Sequence, residues 1–225
     1  MPRRYDAVLF DAGNTLVHLD HVRVAAIAGG DLTEEAVWRG ERVARQDADR
    51  LAEGGQGHLA RWHRYMAVTL EVAGLDRDEI DAAVDRLLDE HLSSNLWSRV
   101  PLSVPPTLKR LQESGYVLGV ISNAEGTVEA LLERVGLRSF FRFVIDSHLV
   151  GCEKPDPRIF ALGLEQAGTA PERTLYVGDV YGIDVLGAQR AGLDAVLLDG
   201  FGLYEGLDCP RVEALVELVH LVEQT

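Results

Sequence analysis

The stretch FDAGNTL, residues 10–16, follows directly on the apolar run AVLF, residues 7–10. A β-rich run that ends on Asp11, with a Gly13-Asn14 turn and Thr15 behind it, sets a carboxylate at the carboxyl end of a buried strand. Four more such runs follow: YVLGVI at 116–121, FRFVI at 141–145, TLYV at 174–177 and AVLL at 195–198. All but the FRFVI run are nearly continuously apolar, the pattern of strands covered on both faces. Helical patterns separate them. Pro106–Ser114 leads into the second run and Thr127–Val135 leaves it, stopped by Gly136. Asp156–Ala167, with Pro157 near its start and Gly168 at its end, follows the third run. Asp184–Ala191 follows the fourth, and Glu213–Leu221 follows the fifth. Strand and helix in alternation predict an α/β fold, a doubly wound parallel sheet with right-handed crossovers.

One segment breaks that rhythm. From about Leu19 to Arg99 no strand pattern is evident, and helices are expected over Thr33–Ala52, Leu59–Ala73 and Asp78–Leu92. Thr33 suits an N-cap, with Glu34 and Glu35 in the first turn where the helix dipole favours acids. Gly54-Gly55-Gln56-Gly57 reads as a break between helices. About 80 residues is too long for a connecting loop, so residues 17–100 are expected to form a helical insert, with 1–16 and 101–225 as the core.

Composition narrows the partners. The 225-residue chain is 47% hydrophobic, enough for a sizeable core, and carries a net charge of −14. That charge repels nucleic acid and anionic membranes, so neither is expected as a partner. No run approaches the roughly 20 apolar residues of a membrane helix, and the short apolar run before Asp11 is no signal-peptide core. Cys152 and Cys209 form no CxxC or Cys/His cluster, which argues against a zinc site and for a reducing, cytoplasmic setting. His18 and His21 make an HxxH without a third nitrogen or sulfur ligand.

Ligands of open parallel sheets bind outside the carboxyl ends of the strands, and the polar residues gather there. The first strand ends in Asp11, the second in Ser122-Asn123 and the fourth in Gly178-Asp179, with Asp184 five residues on; Lys154 lies beyond the third. In this order and spacing the chain resembles the haloacid dehalogenase superfamily of hydrolases. Asp11 with Thr15, Ser122 in VISN, Lys154 in EKPDPRIF and Asp179 with Asp184 in VGDVYGID match its four motifs in turn. The resemblance implies a sheet core in which Thr15 braces the turn, and a helical cap at residues 17–100. It also implies a nucleophile at Asp11, with Ser122 and Lys154 as its catalytic companions. Ser122 and the backbone N–H groups near Asn123 would hold the phosphate of a small phosphorylated substrate. A metal would be held by Asp11, the Gly13 backbone carbonyl, Asp179 and Asp184. The charge argument agrees independently: three converging carboxylates raise one another's pKa unless a cation joins them. Oxygen donors beside a phosphate suit Mg²⁺.

One position departs from the family's phosphatases. Their second aspartate, which protonates the leaving group, is replaced here by Gly13, and such an acid contributes about 10²–10⁴-fold. His18, Asp20 and His21 follow closely enough to be considered as surrogates, with Glu53, His58 and His63 behind them; exposed loop positions are the plainer reading of the first three. A 2-haloacid dehalogenase-like hydrolase also lacks that aspartate, but needs no metal and usually has an aromatic there. A phosphonatase would need a lysine in the cap, and the two lysines, Lys109 and Lys154, lie outside it. A non-catalytic Mg²⁺- and phosphate-binding module is the remaining alternative. Receiver-type signalling domains use similar residues but are shorter and carry no insert. Trp38, Trp62, Tyr65 and Trp97 are expected in the core of the insert. Arg39, Arg61 and Arg64 are read as solvated. Asp146 either is structural or supports Lys154.

Overall fold

The computed structural model describes residues 3–47 and 57–223. Within them run eight strands: β1 (Ala7–Phe10), β2 (His18–Leu19), β3 (Trp97–Arg99), β4 (Val117–Ser122), β5 (Phe143–Asp146), β6 (Thr174–Gly178), β7 (Asp194–Leu198) and β8 (Arg211–Val212). The helices of the first half are α1 (His21–Ala28), α2 (Glu34–Gln46), α3 (His58–Ala73) and α4 (Arg77–Ser94). Those of the second half are α5 (Val104–Glu113), α6 (Val128–Arg134), α7 (Ser147–Val150), α8 (Pro157–Ala167), α9 (Leu186–Arg190) and α10 (Glu217–Glu223). The chain divides into two compact units, Met1–His18 with Val100–Thr225, and Leu19–Arg99.

The first unit is built on a six-stranded sheet of order β5-β4-β1-β6-β7-β8 in which every pairing is parallel. β1 therefore lies between β4 and β6, and its four residues are fully buried. The strand order reverses at β1 and β6. That is the topological switch point, and the crevice beyond its carboxyl edge is where such sheets bind ligands. One face of the sheet packs Leu9, Ile121, Ile145 and Tyr176 against Ile159 and Phe160 of α8. Two glycines make that packing possible. A Cβ on Gly119 would stand 2.3 Å from the Phe143 ring, and one on Gly163 would stand 2.6 Å from Ile121.

The second unit is helical. Val24, Val37, Met66, Leu70, Val84 and Leu87 share its core. Thr33 Oγ1 accepts from the Ala36 N–H at 3.1 Å as the expected N-cap of α2, and Gly74 ends α3 in the left-handed region. A Cβ on Gly40 would fall 2.0 Å from the Thr69 carbonyl oxygen, so α2 and α3 touch backbone to backbone there. Residues 48–52 of the expected Thr33–Ala52 helix, Glu53 and most of the glycine-rich break lie outside the described residues. Trp62 is buried as expected, and Tyr65 and Trp97 are half-buried, but Trp38 is 42% exposed on the outer side of α2. The helical period allows either placement, and tertiary packing decides it. No helix among the described residues is long and apolar enough to cross a membrane.

Candidate active site

The β1–β6 ladder runs one residue past β1: the Asp11 N–H donates to the Val177 carbonyl at 2.9 Å. Asp11 is thus fixed against β6 at the switch point. The chain then turns sharply. The N–H groups of Leu16 and Val17 both point to the Ala12 carbonyl, at 2.9 and 3.0 Å, and Asn14 adopts φ +56, a conformation asparagine tolerates. Thr15 was expected to brace this turn. Its N–H reaches the Ala12 carbonyl at 3.4 Å, whereas its hydroxyl is buried with no hydrogen-bond partner among the described residues, so backbone bonds hold the turn.

Lys154 meets Asp11 from the segment between β5 and α8. It is only 2% exposed, and its Nζ donates to Asp11 Oδ1 at 2.7 Å, Asp184 Oδ1 at 2.7 Å and the Tyr176 hydroxyl at 3.0 Å. Its backbone is held as well. The Lys154 N–H donates to Asn123 Oδ1 at 2.8 Å, and Asn123 Nδ2 donates back to the Lys154 carbonyl at 2.9 Å. The Asn123 side chain is thereby committed to the lysine segment, leaving only its backbone for the anion role expected near it.

Asp184 lies in a single π-helical turn, Tyr181–Val185, ahead of α9. Such turns recur at functional sites. Asp184 Oδ2 accepts the N–H groups of Asp179 and Val180, at 3.1 and 3.0 Å, and so folds the end of β6 back over itself. This requires Gly178: a Cβ there would sit 2.3 Å from Asp184 Cγ. Oxygen atoms of Asp11, Asp179 and Asp184 lie within 4.8 Å of one another, and all three residues are buried.

Ser122 is buried at the end of β4, in register with Asp146 of β5. Asp146 accepts the N–H groups of Gly126 (3.0 Å), Val128 (3.3 Å) and His148 (3.0 Å). Ser147 Oγ accepts the Ala124 N–H at 3.1 Å. Asp146 therefore braces the loop that follows Ser122, and among the described residues it makes no hydrogen bond to Lys154.

Burial pushes the Asp11 carboxyl above the ordinary carboxylate value, against the pull of the Lys154 ammonium and with a push from Asp184. Burial also works against the Lys154 charge, but Asp11 and Asp184 outweigh it, and Lys154 is held protonated. Burial raises the Tyr176 phenol well above its usual range, so its hydroxyl keeps its proton. Three carboxylates thus face one ammonium, an excess of negative charge that a divalent cation would balance.

An aspartate at a central strand end, a buried lysine bridging two acids and a folded-back Gly-Asp turn now stand together, and the haloacid dehalogenase-like hydrolase family profile matches residues 5–192. The chain belongs to this family. It is 34% identical over 168 residues to haloacid dehalogenase-like hydrolase domain-containing protein 3 of Mus musculus, across 72% of this chain and 65% of that protein. It is 31% identical over 219 residues to glyceraldehyde 3-phosphate phosphatase of Methanopyrus kandleri, across 91% of this chain and 88% of that protein. Among solved structures, the 2-haloacid dehalogenase of Pseudomonas syringae pv. Tomato superposes with a TM-score of 0.61 at 25% identity, covering 98% of this chain and 99% of that one.

Two of the surrogate donors considered for this haloacid dehalogenase-like hydrolase, His21 and Asp20, have other duties. His21 is buried, not an exposed loop residue, and its Nε2 pairs with Glu41, whose other oxygen accepts the Tyr65 hydroxyl at 2.7 Å. Asp20 caps α1, accepting the Arg23 N–H at 3.1 Å. His18 is half-buried in β2, and His63 is exposed on α3. Sequence reasoning missed Tyr176, hidden as one more apolar letter in TLYV, although a hydroxyl in the middle of a buried strand is itself a signal.

Proposed function

We propose that the protein is a Mg²⁺-dependent phosphatase acting on a small phosphorylated metabolite through an aspartyl-phosphate at Asp11. The observation that carries this reading is the Lys154 ammonium, 2.7 Å from both Asp11 and Asp184, beside a third buried acid, Asp179. The phosphatase name of the archaeal relative supports the substrate class.

The donor set fits Mg²⁺: carboxylates only, buried, with a surplus of negative charge. Asp11, the Gly13 carbonyl and Asp179 would hold the ion. Asp184, expected as a ligand too, already engages three of its four lone-pair sites with Lys154 and two N–H groups, so we assign it chiefly a bracing role that adds charge to the site. When bound, Mg²⁺ supplies charge stabilisation to the phosphoryl oxygens.

Asp11 attacks phosphorus; its oxygen–phosphorus bond forms as the ester P–O bond breaks. Lys154 offsets the charge gathered on Asp11 and on the transferring group. The Ser122 hydroxyl and the Asn123 N–H hold phosphoryl oxygens, the Ala124 N–H being taken by Ser147. The leaving oxygen gains its proton from solvent, because Gly13 offers none. Water then attacks the aspartyl-phosphate, releasing inorganic phosphate and restoring Asp11. Substrates whose leaving groups need little protonation, acyl and aryl phosphates, are therefore favoured over alkyl esters. The helical unit, residues 19–99, is the proposed cap and selects among them.

The test compares p-nitrophenyl phosphate with a sugar phosphate in Mg²⁺, using Asp11→Asn and EDTA as controls. The expected result is turnover of the aryl ester, lost in both controls, and turnover of the alkyl ester slower by about 10²–10⁴-fold. A second reading, 2-haloacid dehalogenase, draws on Gly13 and on the Pseudomonas syringae structure. Halide release from a 2-chloroacid that survives EDTA, with no phosphate released from either ester, would replace the first reading with the second.

A further inference from the structure

We propose that Tyr176 is a positioning residue for Lys154: its hydroxyl is a strut, anchored on β4, that aims the ammonium at Asp11. The inference rests on the reading that Lys154 serves Asp11 in catalysis.

The chemistry of the partners fixes which way each proton points. Tyr176 is fully buried, and its hydroxyl has one proton to give. The Ile121 carbonyl, 3.0 Å away, only accepts, so the proton goes there. Lys154 Nζ, also 3.0 Å away, only donates, so it meets the hydroxyl lone pairs. The ammonium's three protons then have three acceptors, at 2.7, 2.7 and 3.0 Å, and no rotational freedom is left. The contact between Tyr176 and Asp184 Oδ1, at 3.4 Å, has no proton to share and is an edge of the same cluster.

The placement is that of a strut. Tyr176 stands on β6 and reaches the carbonyl of Ile121 on β4, the two strands that flank β1 and Asp11. Phe160 of α8 meets its ring edge-on, with centroids 5.1 Å apart and planes at 77°, which fixes the ring. Lys154 Nζ lies 5.5 Å from the centre of that ring, at its hydroxyl end, so the oxygen and not the ring face holds the ammonium. Asn123, the first residue beyond β4, holds the Lys154 backbone, and Tyr176 ties the lysine tip to Ile121 within that strand.

Tyr176→Phe keeps the ring and deletes the strut's contact atom. One ammonium proton and the Ile121 carbonyl lose their partner. The expected result is a fall in kcat of about tenfold with KM changed by less than about twofold, since positioning rather than binding is lost. A second readout does not depend on turnover. The chain contains two lysines, Lys109 and Lys154. The Lys109 side chain is 67% exposed, so its ammonium protons exchange quickly with water, and ¹⁵N-lysine labelling leaves one persistent ammonium signal, from Lys154. In Tyr176→Phe that signal should move and its exchange with water should speed up by about tenfold.

A purely structural tyrosine would lower Tm without touching either readout. An unmoved Lys154 signal together with unchanged kcat overturns the proposal. If the wild-type protein turns over no phosphate ester but the signal still moves, the phosphatase reading fails and the strut stands. Should Tyr176→Phe not fold, the wild-type spectrum decides. A through-space contact between the Lys154 ammonium and a slowly exchanging Tyr176 hydroxyl proton supports the strut, and its absence overturns it.

Discussion

Gly178→Ala tests whether the site is held by steric necessity at the end of β6. The added Cβ would stand 2.3 Å from Asp184 Cγ and 2.6 Å from Oδ2. The strand is not free to yield, because β6 is paired on both sides, to β1 and β7. Asp184 must therefore retreat by about 1.2 Å or more to reach ordinary van der Waals separation. Its bonds to the Asp179 and Val180 N–H groups, at 3.1 and 3.0 Å, do not survive that shift. Two N–H bonds to a charged group amount to about 3–6 kcal/mol. For a chain of this size that corresponds to a drop in Tm of roughly 10 °C. Lys154 loses one of its two carboxylate partners as well, and a displacement of about 1 Å near the reacting group costs about 10²-fold in kcat. Thermal unfolding followed by circular dichroism gives the first number, and aryl phosphate hydrolysis gives the second. A variant whose Tm lies within about 2 °C of wild type and whose kcat lies within about threefold would refute the claim that Gly178 makes room for Asp184, since the predicted losses are several times larger.

Lys154→Met leaves Asp11 and Asp184 buried without their cation, so kcat should fall by at least about 10³-fold and stability by about 3–5 kcal/mol, read from activity and urea unfolding. Mg²⁺ at about 100 times its dissociation constant should stabilise the protein by about 2.7 kcal/mol, and Asp179→Asn should abolish that rise in Tm. Glu41 gives a pH prediction. Burial pushes its carboxyl up, but the His21 hydrogen bond, the Arg45 charge and the Tyr65 hydroxyl outweigh burial, so its folded pKa lies below the unfolded value of 4.5. A depressed carboxylate stabilises above its unfolded pKa and loses that contribution as pH falls through its folded one. Glu41→Gln should therefore be less stable than wild type at neutral pH, with the gap closing below about pH 4.5 in far-UV circular dichroism.

The sheet was legible because burial on both faces leaves a plain mark. The runs at 7–10, 116–121 and 174–177 match β1, β4 and β6 to within one residue at either end. The short strands were not legible. β2 and β3 have two and three residues, too few to show a period, and they border a segment that otherwise reads as helix. Nor was the path around Asp184. A helix was expected from that residue, and the chain first makes a π turn, set by bonds from Asp184 Oδ2 to two backbone N–H groups that no local pattern encodes. The last helix begins at Glu217 rather than Glu213, because residues 211–212 add a strand to β7. Within the site, residue types at strand ends pointed to the acids and the lysine. The partners that fix them, Tyr176 and the Asn123 side chain, are set by tertiary contacts more than 20 residues away in sequence.

Asp11 and Asp184 both touch the same ammonium at 2.7 Å, so contact with Lys154 does not tell nucleophile from brace. Their remaining bonds do. Asp184 is 1% exposed; one oxygen holds two backbone N–H groups, and the other faces Lys154 and the Tyr176 hydroxyl. Three of its four lone-pair sites are engaged, and its carboxylate is walled in by the backbone of Gly178. Asp11 is 7% exposed at the open carboxyl edge of the central strand, with Lys154 and the Ala12 backbone as its holds. With these two holds on about four lone-pair sites, it keeps lone pairs in reserve. A nucleophile must be oriented without being saturated. By that criterion the proposed nucleophile, Asp11, is the carboxylate with fewer bonds. This asymmetry predicts that Asp184→Asn chiefly lowers stability and slows turnover, while Asp11→Asn leaves the fold in place and abolishes turnover.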